Sequence, residues 1–188
     1  MEACDKIGST VARTGAHGVL GEALALSGEM EAARQSLEFS LQLGRDEKLG
    51  RYFEPQFLAG LSEVQLALGD APRGQSLAEE AVAIASRTGQ RVGEIRALLA
   101  RARLLLAGPG VADRDEIEST LNRARSLVAS TGARAHEPQI LVERARLSDL
   151  LSDGTDRDRW LNEAHRLFTE MGATGHAERV ATRLADRA

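Results

Sequence analysis

Three stretches of the sequence end in the same way: residues 11–15 read Val-Ala-Arg-Thr-Gly, 84–89 read Ile-Ala-Ser-Arg-Thr-Gly, and 128–132 read Val-Ala-Ser-Thr-Gly. A fourth copy at 168–172, Phe-Thr-Glu-Met-Gly, has the same form with different residues. Each stretch joins apolar residues to a short polar segment and then to a glycine. Glycine tolerates the left-handed backbone with which many helices end. The repetition predicts an array of helices that end at these glycines.

The distances between these glycines predict the repeat boundaries. With Gly50, which ends a charged turn, the series is Gly15, Gly50, Gly89, Gly132 and Gly172, at intervals of 35, 39, 43 and 40 residues. Each interval contains two amphipathic segments with a short break between them. The predicted division is a remnant helix at 1–14, repeats at 15–50, 51–89, 90–132 and 133–172, and a capping helix at 173–188, all in one domain. The remnant favours a piece of a longer protein.

Small residues recur at one place in three of the predicted repeats. Ala81, Ala124 and Ala164 each lie eight residues before a helix-ending glycine. A small side chain lets neighbouring helices approach each other closely, so these alanines are expected at contacts between helices.

Composition indicates a folded protein and excludes several partners. Hydrophobic residues make up 43% and charged residues 28%, which is ordinary for a globular chain, while aromatic residues are 3%. The net charge of −4 provides no basic surface for nucleic acid or for an anionic membrane. No apolar run approaches about 18 residues, the length of a membrane span. Cys4 is the one cysteine, which excludes an internal disulfide and favours a reducing, cytoplasmic setting.

The sequence contains no convincing catalytic, cofactor or metal site. The segment 69–76 has the glycine spacing of a phosphate-binding loop, but Gln75 stands where a lysine must neutralise phosphate, so an interhelix turn is the better interpretation. Gly15, Gly18 and Gly21 resemble a dinucleotide motif without a preceding strand, and close helix packing explains them better. The four histidines form no His-x-x-x-His pair and have no adjacent cysteine.

One family resembles this pattern. Leu20-Gly21, Leu24, Gly28, Ala33 and Leu37 resemble the tetratricopeptide (TPR) repeat, a helix–turn–helix unit, although the period here is nearer 40 than the usual 34. The stretch 164–179 is similar to the C-terminal arrays of bacterial ATP-binding transcription regulators and nucleotide-cyclase-linked ATPases. The resemblance implies an all-α, right-handed α-solenoid of about four TPR-like hairpins plus a C-terminal capping helix.

The same resemblance implies that the first helix of each hairpin lines a concave groove. Polar residues on these predicted helices are candidates for binding a partner, because arginine pairs well with the carboxylates of a peptide. Ion pairing on the protein's own surface, such as Glu143 with Arg146, is the alternative. The candidate groove residues are Gln56, Glu63, Arg96, Arg101, Arg103, Gln139, Arg144 and Arg146.

The sequence therefore predicts a non-catalytic module that binds a protein or peptide segment in its groove, in a regulatory role. A second hypothesis is a C-terminal sensor or coupling fragment of a larger bacterial signalling ATPase, nucleotide cyclase or transcription regulator. No cofactor, metal, nucleic acid or membrane is expected. A homodimer through a terminal helix pair stays open.

Overall fold

The computed structural model describes residues 2–108 and 114–186, with side chains from Ser9 onward. Over these residues the chain is helical and has no β-strand, which confirms the all-α prediction. Single 3₁₀ turns at Arg51–Phe53 and Arg134–His136 lead into the third and seventh helices. The helices are α1 (Glu2–Leu26), α2 (Met30–Asp46), α3 (Glu54–Ala67), α4 (Ala71–Thr88), α5 (Arg91–Ala107), α6 (Arg114–Thr131), α7 (Glu137–Leu150), α8 (Gly154–Glu170) and α9 (Thr174–Ala185).

The helices pack in pairs that are adjacent in sequence. The chain forms two compact units, one ending at Leu104 and the other beginning at Leu105. In the first unit α1 packs against α2 and α3 against α4, while α2 also contacts α3. In the second unit α7 packs against α8, α8 against α9, and α6 against α7. The expectation of one domain over 1–188 stays a prediction.

Four of the five predicted glycines do end a helix or the turn that follows it. Gly50, Gly89, Gly132 and Gly172 have φ angles of 69°, 69°, 72° and 70°, a region that residues with a Cβ atom rarely adopt. A Cβ atom on Gly89, Gly132 or Gly172 would meet no other atom within 4 Å. These three glycines are therefore required by the backbone conformation and not by lack of space.

The prediction that a helix ends at Gly15 is wrong. Helix α1 runs without interruption from Glu2 to Leu26, so no boundary separates a remnant helix at 1–14 from a first repeat at 15–50. Glycine lowers helix stability by about 1 kcal/mol relative to alanine, but it does not break a helix that tertiary contacts support. Such a contact lies next to Gly15, where the backbone carbonyl of Thr14 accepts a hydrogen bond from the hydroxyl group of Ser40 on α2.

Two other glycines of α1 give a neighbouring side chain direct access to the helix backbone. A Cβ atom on Gly18 would lie 2.1 Å from Cζ of Phe57, and one on Gly21 would lie 2.6 Å from Cγ of Leu37. Such distances do not occur between real atoms, so only glycine fits at these positions. The interpretation of Gly18 and Gly21 as sites of close helix packing is confirmed.

The predicted small residues lie in the cores. Ala81, Ala124 and Ala164 are all fully buried, as expected for residues at close contacts between helices. In the first unit the core contains Leu37, Phe57 and other apolar residues of α2, α3, α4 and α5. In the second unit Leu161 belongs to the apolar cluster of α7, α8 and α9.

Candidate functional site

The candidate groove residues divide into two sets, because residues seven apart share a face of a helix whereas residues two apart do not. The pairs seven apart, one on each of α3, α5 and α7, are Gln56 with Glu63, Arg96 with Arg103, and Gln139 with Arg146. Arg101 and Arg144 are each two residues from the last member of a pair, so they point to other sides of α5 and α7.

In the first unit the structure joins three predicted groove helices through one carboxylate. Nε2 of Gln56 on α3 donates to Oε1 and Oε2 of Glu22 on α1, at 3.2 and 3.0 Å. Nη2 of Arg96 on α5 donates to the same Oε1 at 2.5 Å. Glu22 therefore connects α1, α3 and α5.

A second ion pair crosses the same surface. Nη1 of Arg103 on α5 donates to Oε1 of Glu63 on α3 at 2.6 Å. We call the surface formed by Glu22, Gln56, Glu63, Arg96 and Arg103 the first-helix face. Its two arginines already have carboxylate partners within the chain, as the alternative of ion pairing on the protein's own surface predicts.

Helix α1 adds exposed apolar side chains next to this face. Val19 and Leu26 lie three residues before and four residues after Glu22, so they project on the same side of α1. Their exposed fractions are 59% and 87%, and Leu20 is 50% exposed. Exposed aliphatic side chains next to a charged network are typical of the mixed chemistry of protein interfaces.

On α7, Arg146 follows the alternative interpretation. Its Nη1 donates to Oε2 of Glu143 at 3.0 Å, and Glu143 is only 3% exposed. The predicted pairing of Glu143 with Arg146 is confirmed. Gln139 lies on the same side of α7 as Arg146 and is half-buried.

Arg144 lies on the opposite side of α7, between α6 and α8. Its Nη2 donates to Oδ1 of Asn122 on α6 at 2.6 Å, and its Cζ lies 5.3 Å from the centre of the Trp160 ring on α8. Burial, and then the nearby positive charge of Arg125, lower the pKa of Arg144. Arg144 therefore does not share a surface with Gln139 and Arg146.

Three residues that are central in the structure were not among the predicted site residues. Glu22 is the acceptor for two other helices, while Asn122 and Trp160 surround Arg144. In the sequence, Glu22 stands out as an acidic residue among the aliphatic residues of α1. Asn122 and Trp160 carry no comparable signal, because both match ordinary positions of amphipathic helices.

Known proteins add no assignment. No protein-family model matches the chain, and no curated protein matches it significantly. The TPR resemblance therefore stays a prediction that depends on the residues quoted for it. None of the described helices combines the length and the apolar character needed to cross a membrane. Within 2–108 and 114–186, no group of three or more histidine, cysteine or acidic residues is arranged to hold a metal ion.

Proposed function

We propose that this chain is a non-catalytic TPR-like α-solenoid that binds a segment of a partner protein on the first-helix face. One observation carries the proposal: Glu22 of α1 accepts hydrogen bonds from Gln56 of α3 and Arg96 of α5. These bonds hold the polar side chains of three helices in fixed positions on one surface. A preorganised surface loses less conformational entropy on binding than one with mobile side chains.

The chemistry of the face indicates what kind of segment fits it. Its charges alternate in sign and are paired internally, so a strongly charged partner gains little from them. Val19 and Leu26 offer exposed apolar area at one side. An amphipathic segment, with apolar anchors and polar groups of both signs, matches this combination. A regulatory role is part of the proposal, since such a module changes the location or activity of what it binds.

Gly60 provides a direct test of the face. It lies four residues after Gln56 and three before Glu63, and a Cβ atom there would be 3.8 Å from Cγ of Glu22. A Gly60→Trp side chain would therefore cover the middle of the face. Ala83, which is exposed on α4, provides the matched control Ala83→Trp on a different surface.

The experiment selects binding peptides from a displayed library and measures their affinities for the three proteins. We expect Gly60→Trp to weaken binding by about tenfold or more, the equivalent of roughly 1.4 kcal/mol, and Ala83→Trp to leave it unchanged. Circular dichroism checks that both variants are folded. Selected peptides that bind Gly60→Trp as tightly as the original protein would disprove the proposed location.

A further inference from the structure

The second unit contains a cluster of arginines around the one tryptophan of the sequence. The guanidinium carbons of Arg144 and Arg159 lie 5.3 and 4.4 Å from the centre of the Trp160 ring. Asn122 contacts Arg144, and Arg125 is close enough to disfavour its charge. We call these five residues the Arg144 cluster.

Arg144 is a half-buried arginine with no carboxylate within salt-bridge distance among the described residues. Five arginines with comparable or greater burial each form a salt bridge: Arg34, Arg96, Arg103, Arg146 and Arg157. Arg144 instead has a neutral amide, an aromatic ring and a second arginine as neighbours. A partly buried charge without a counter-ion is unfavourable, so this position gains from an added anion.

The hydrogen bonds of Arg144 leave donors for that anion. Nη2 uses one of its hydrogens for Asn122, while Nη1 makes no hydrogen bond to any residue that the structure describes. Nε is buried and has no partner. The Trp160 ring, whose centre lies 5.3 Å from Cζ, favours orientations of the guanidinium group that keep this cation–π contact. Its terminal nitrogens are thus held ready to bind two oxygens of one ligand.

The neighbouring carboxylates are already engaged. Arg159 pairs with Asp156 at 3.0 Å, and Glu118, which favours the charge on Arg144, pairs with Arg114 at 2.8 Å. Each of these two acids therefore has another arginine as its partner, and neither forms a salt bridge with Arg144 or Arg125.

We propose that the Arg144 cluster is a binding site for the carboxylate of an acidic side chain, supplied by a protein segment that crosses α6 and α8. The terminal nitrogens of Arg144 bind the two carboxylate oxygens, and Arg125 adds long-range attraction. A carboxylate fits the terminal nitrogens of Arg144 better than phosphate does, because paired donors match its two oxygens. The site lies in a different unit from the first-helix face and does not depend on that face.

Trp160 reports on this site directly, because any change in tryptophan fluorescence comes from that ring. The probe is a short glutamate-rich peptide, with its glutamine counterpart and inorganic phosphate as comparisons. We expect a saturable fluorescence change with the glutamate peptide, a response that falls at high salt, and no response to the glutamine peptide. Absence of a response to the glutamate peptide, or tighter binding of phosphate, would overturn the carboxylate assignment.

Three variants locate the binding. Arg144→Gln should weaken binding by about tenfold, through loss of one charge-assisted contact. Arg125→Glu, at an exposed position that leaves the fold intact, should weaken it about fivefold even if Arg144→Gln fails to fold. Arg166→Gln on α8, which removes an arginine already paired with Glu163 and Glu170, should change nothing. Equal affinities for the original protein, Arg144→Gln and Arg125→Glu would disprove the site.

Discussion

The ring of Phe57 on α3 lies against the backbone of α1 at Gly18, where a Cβ atom would be 2.1 Å from Cζ of the ring. Phe57 is 1% exposed and is among the largest fully buried side chains described. The contact fixes how closely α1 and α3 approach each other. It therefore also fixes the spacing of Glu22 and Gln56, which these two helices contribute to the first-helix face.

We expect Gly18→Ala to lower the free energy of unfolding by about 1–2 kcal/mol. The added methyl group cannot fit unless the Phe57 ring or the whole of α1 moves, and inserting one methyl group into a packed core costs about 1–3 kcal/mol. This cost exceeds the gain of up to about 1 kcal/mol in intrinsic helix propensity. Urea unfolding monitored by circular dichroism measures the difference.

Gly15→Ala is the matched control, three residues earlier in the same helix. The nearest atom to a Cβ at Gly15 is Cε2 of Phe53 at 3.9 Å, an ordinary van der Waals distance. This variant should raise the free energy of unfolding by about 0.5–1 kcal/mol, because helix propensity then acts without a clash. Similar effects of the two substitutions would show that Phe57 does not press on Gly18.

Ser152 carries backbone strain that glycine would relieve. The breaks before α2 and α4 use Gly28 and Gly69, with φ angles of 85° and 88°, whereas the break before α8 places Ser152 at 58°. A left-handed conformation costs a residue with a Cβ atom about 1–2 kcal/mol. Glycine removes this cost, but it also gives the unfolded chain more conformational freedom, which offsets part of the gain in stability. Ser152→Gly should therefore stabilise the protein by about 0.5 kcal/mol.

Gly69→Ala is the reverse experiment at the equivalent break. A Cβ atom there meets nothing within 4 Å, so only backbone strain should act, and stability should fall by about 1 kcal/mol. Thermal unfolding of both variants measures the two changes. If both variants were less stable than the original protein, the backbone of Ser152 would not be strained as proposed.

The sequence predicted features that depend on local backbone chemistry. Gly89, Gly132 and Gly172 end helices because the left-handed conformation favours glycine, and this preference is visible without knowing any neighbour. The continuation of α1 through Gly15 could not be predicted in this way, because it depends on contacts of α1 with residues that are distant in sequence. The sequence predicts close packing at Gly18 but not its partner, because Phe57 follows Gly18 by almost forty residues.

For the candidate site, the sequence predicts which residues share a face of a helix but not which residues of other helices they bond to. The spacing of seven residues places Gln56 with Glu63 on one side of α3 regardless of tertiary structure. The hydrogen-bond partners cannot be predicted in this way, because Arg96 bonds to Glu22, which is 74 residues away in the sequence. Arg144 and Arg146 were grouped together although their spacing of two residues directs them to different sides of α7.

Two helix starts without a side-chain cap should gain stability from aspartate. Asp70 and Asp153 precede α4 and α8, and each accepts a hydrogen bond from the backbone N–H three residues on, at 3.1 and 3.0 Å. Ala173 precedes α9 with similar backbone angles, −83° and 62°, but provides no cap. Ala173→Asp should stabilise by about 1 kcal/mol, and Asp70→Ala should destabilise by a similar amount.

Chemical unfolding of these two variants tests whether the caps act as the geometry implies. Glu29, which precedes α2 with angles of −83° and 63°, offers an independent repeat of the test as Glu29→Asp. Its longer side chain makes no cap hydrogen bond, and aspartate has the length that does. If neither Ala173→Asp nor Glu29→Asp gained stability, the shared backbone angles would not be sufficient for capping.

Glu31 should titrate well below an ordinary glutamate. The guanidinium group of Arg34 donates to both carboxylate oxygens, with Nε to Oε2 at 3.0 Å, and this bonding lowers the pKa of Glu31 from 4.5 to about 2. Because the folded pKa is depressed, the stabilisation is complete above pH 4.5 and disappears as the pH falls through about 2. Carbon-13 NMR of the glutamate carboxyl groups measures the midpoint directly.

Arg34→Gln removes the donor and should return the pKa of Glu31 towards its ordinary value. High salt should move it in the same direction, since the Glu31 carboxylate is exposed to solvent. Between pH 4.5 and 2 the original protein should lose more stability than Glu31→Gln, which cannot titrate at this position. A Glu31 midpoint that is the same in the original protein and in Arg34→Gln would show that the pair does not form in solution.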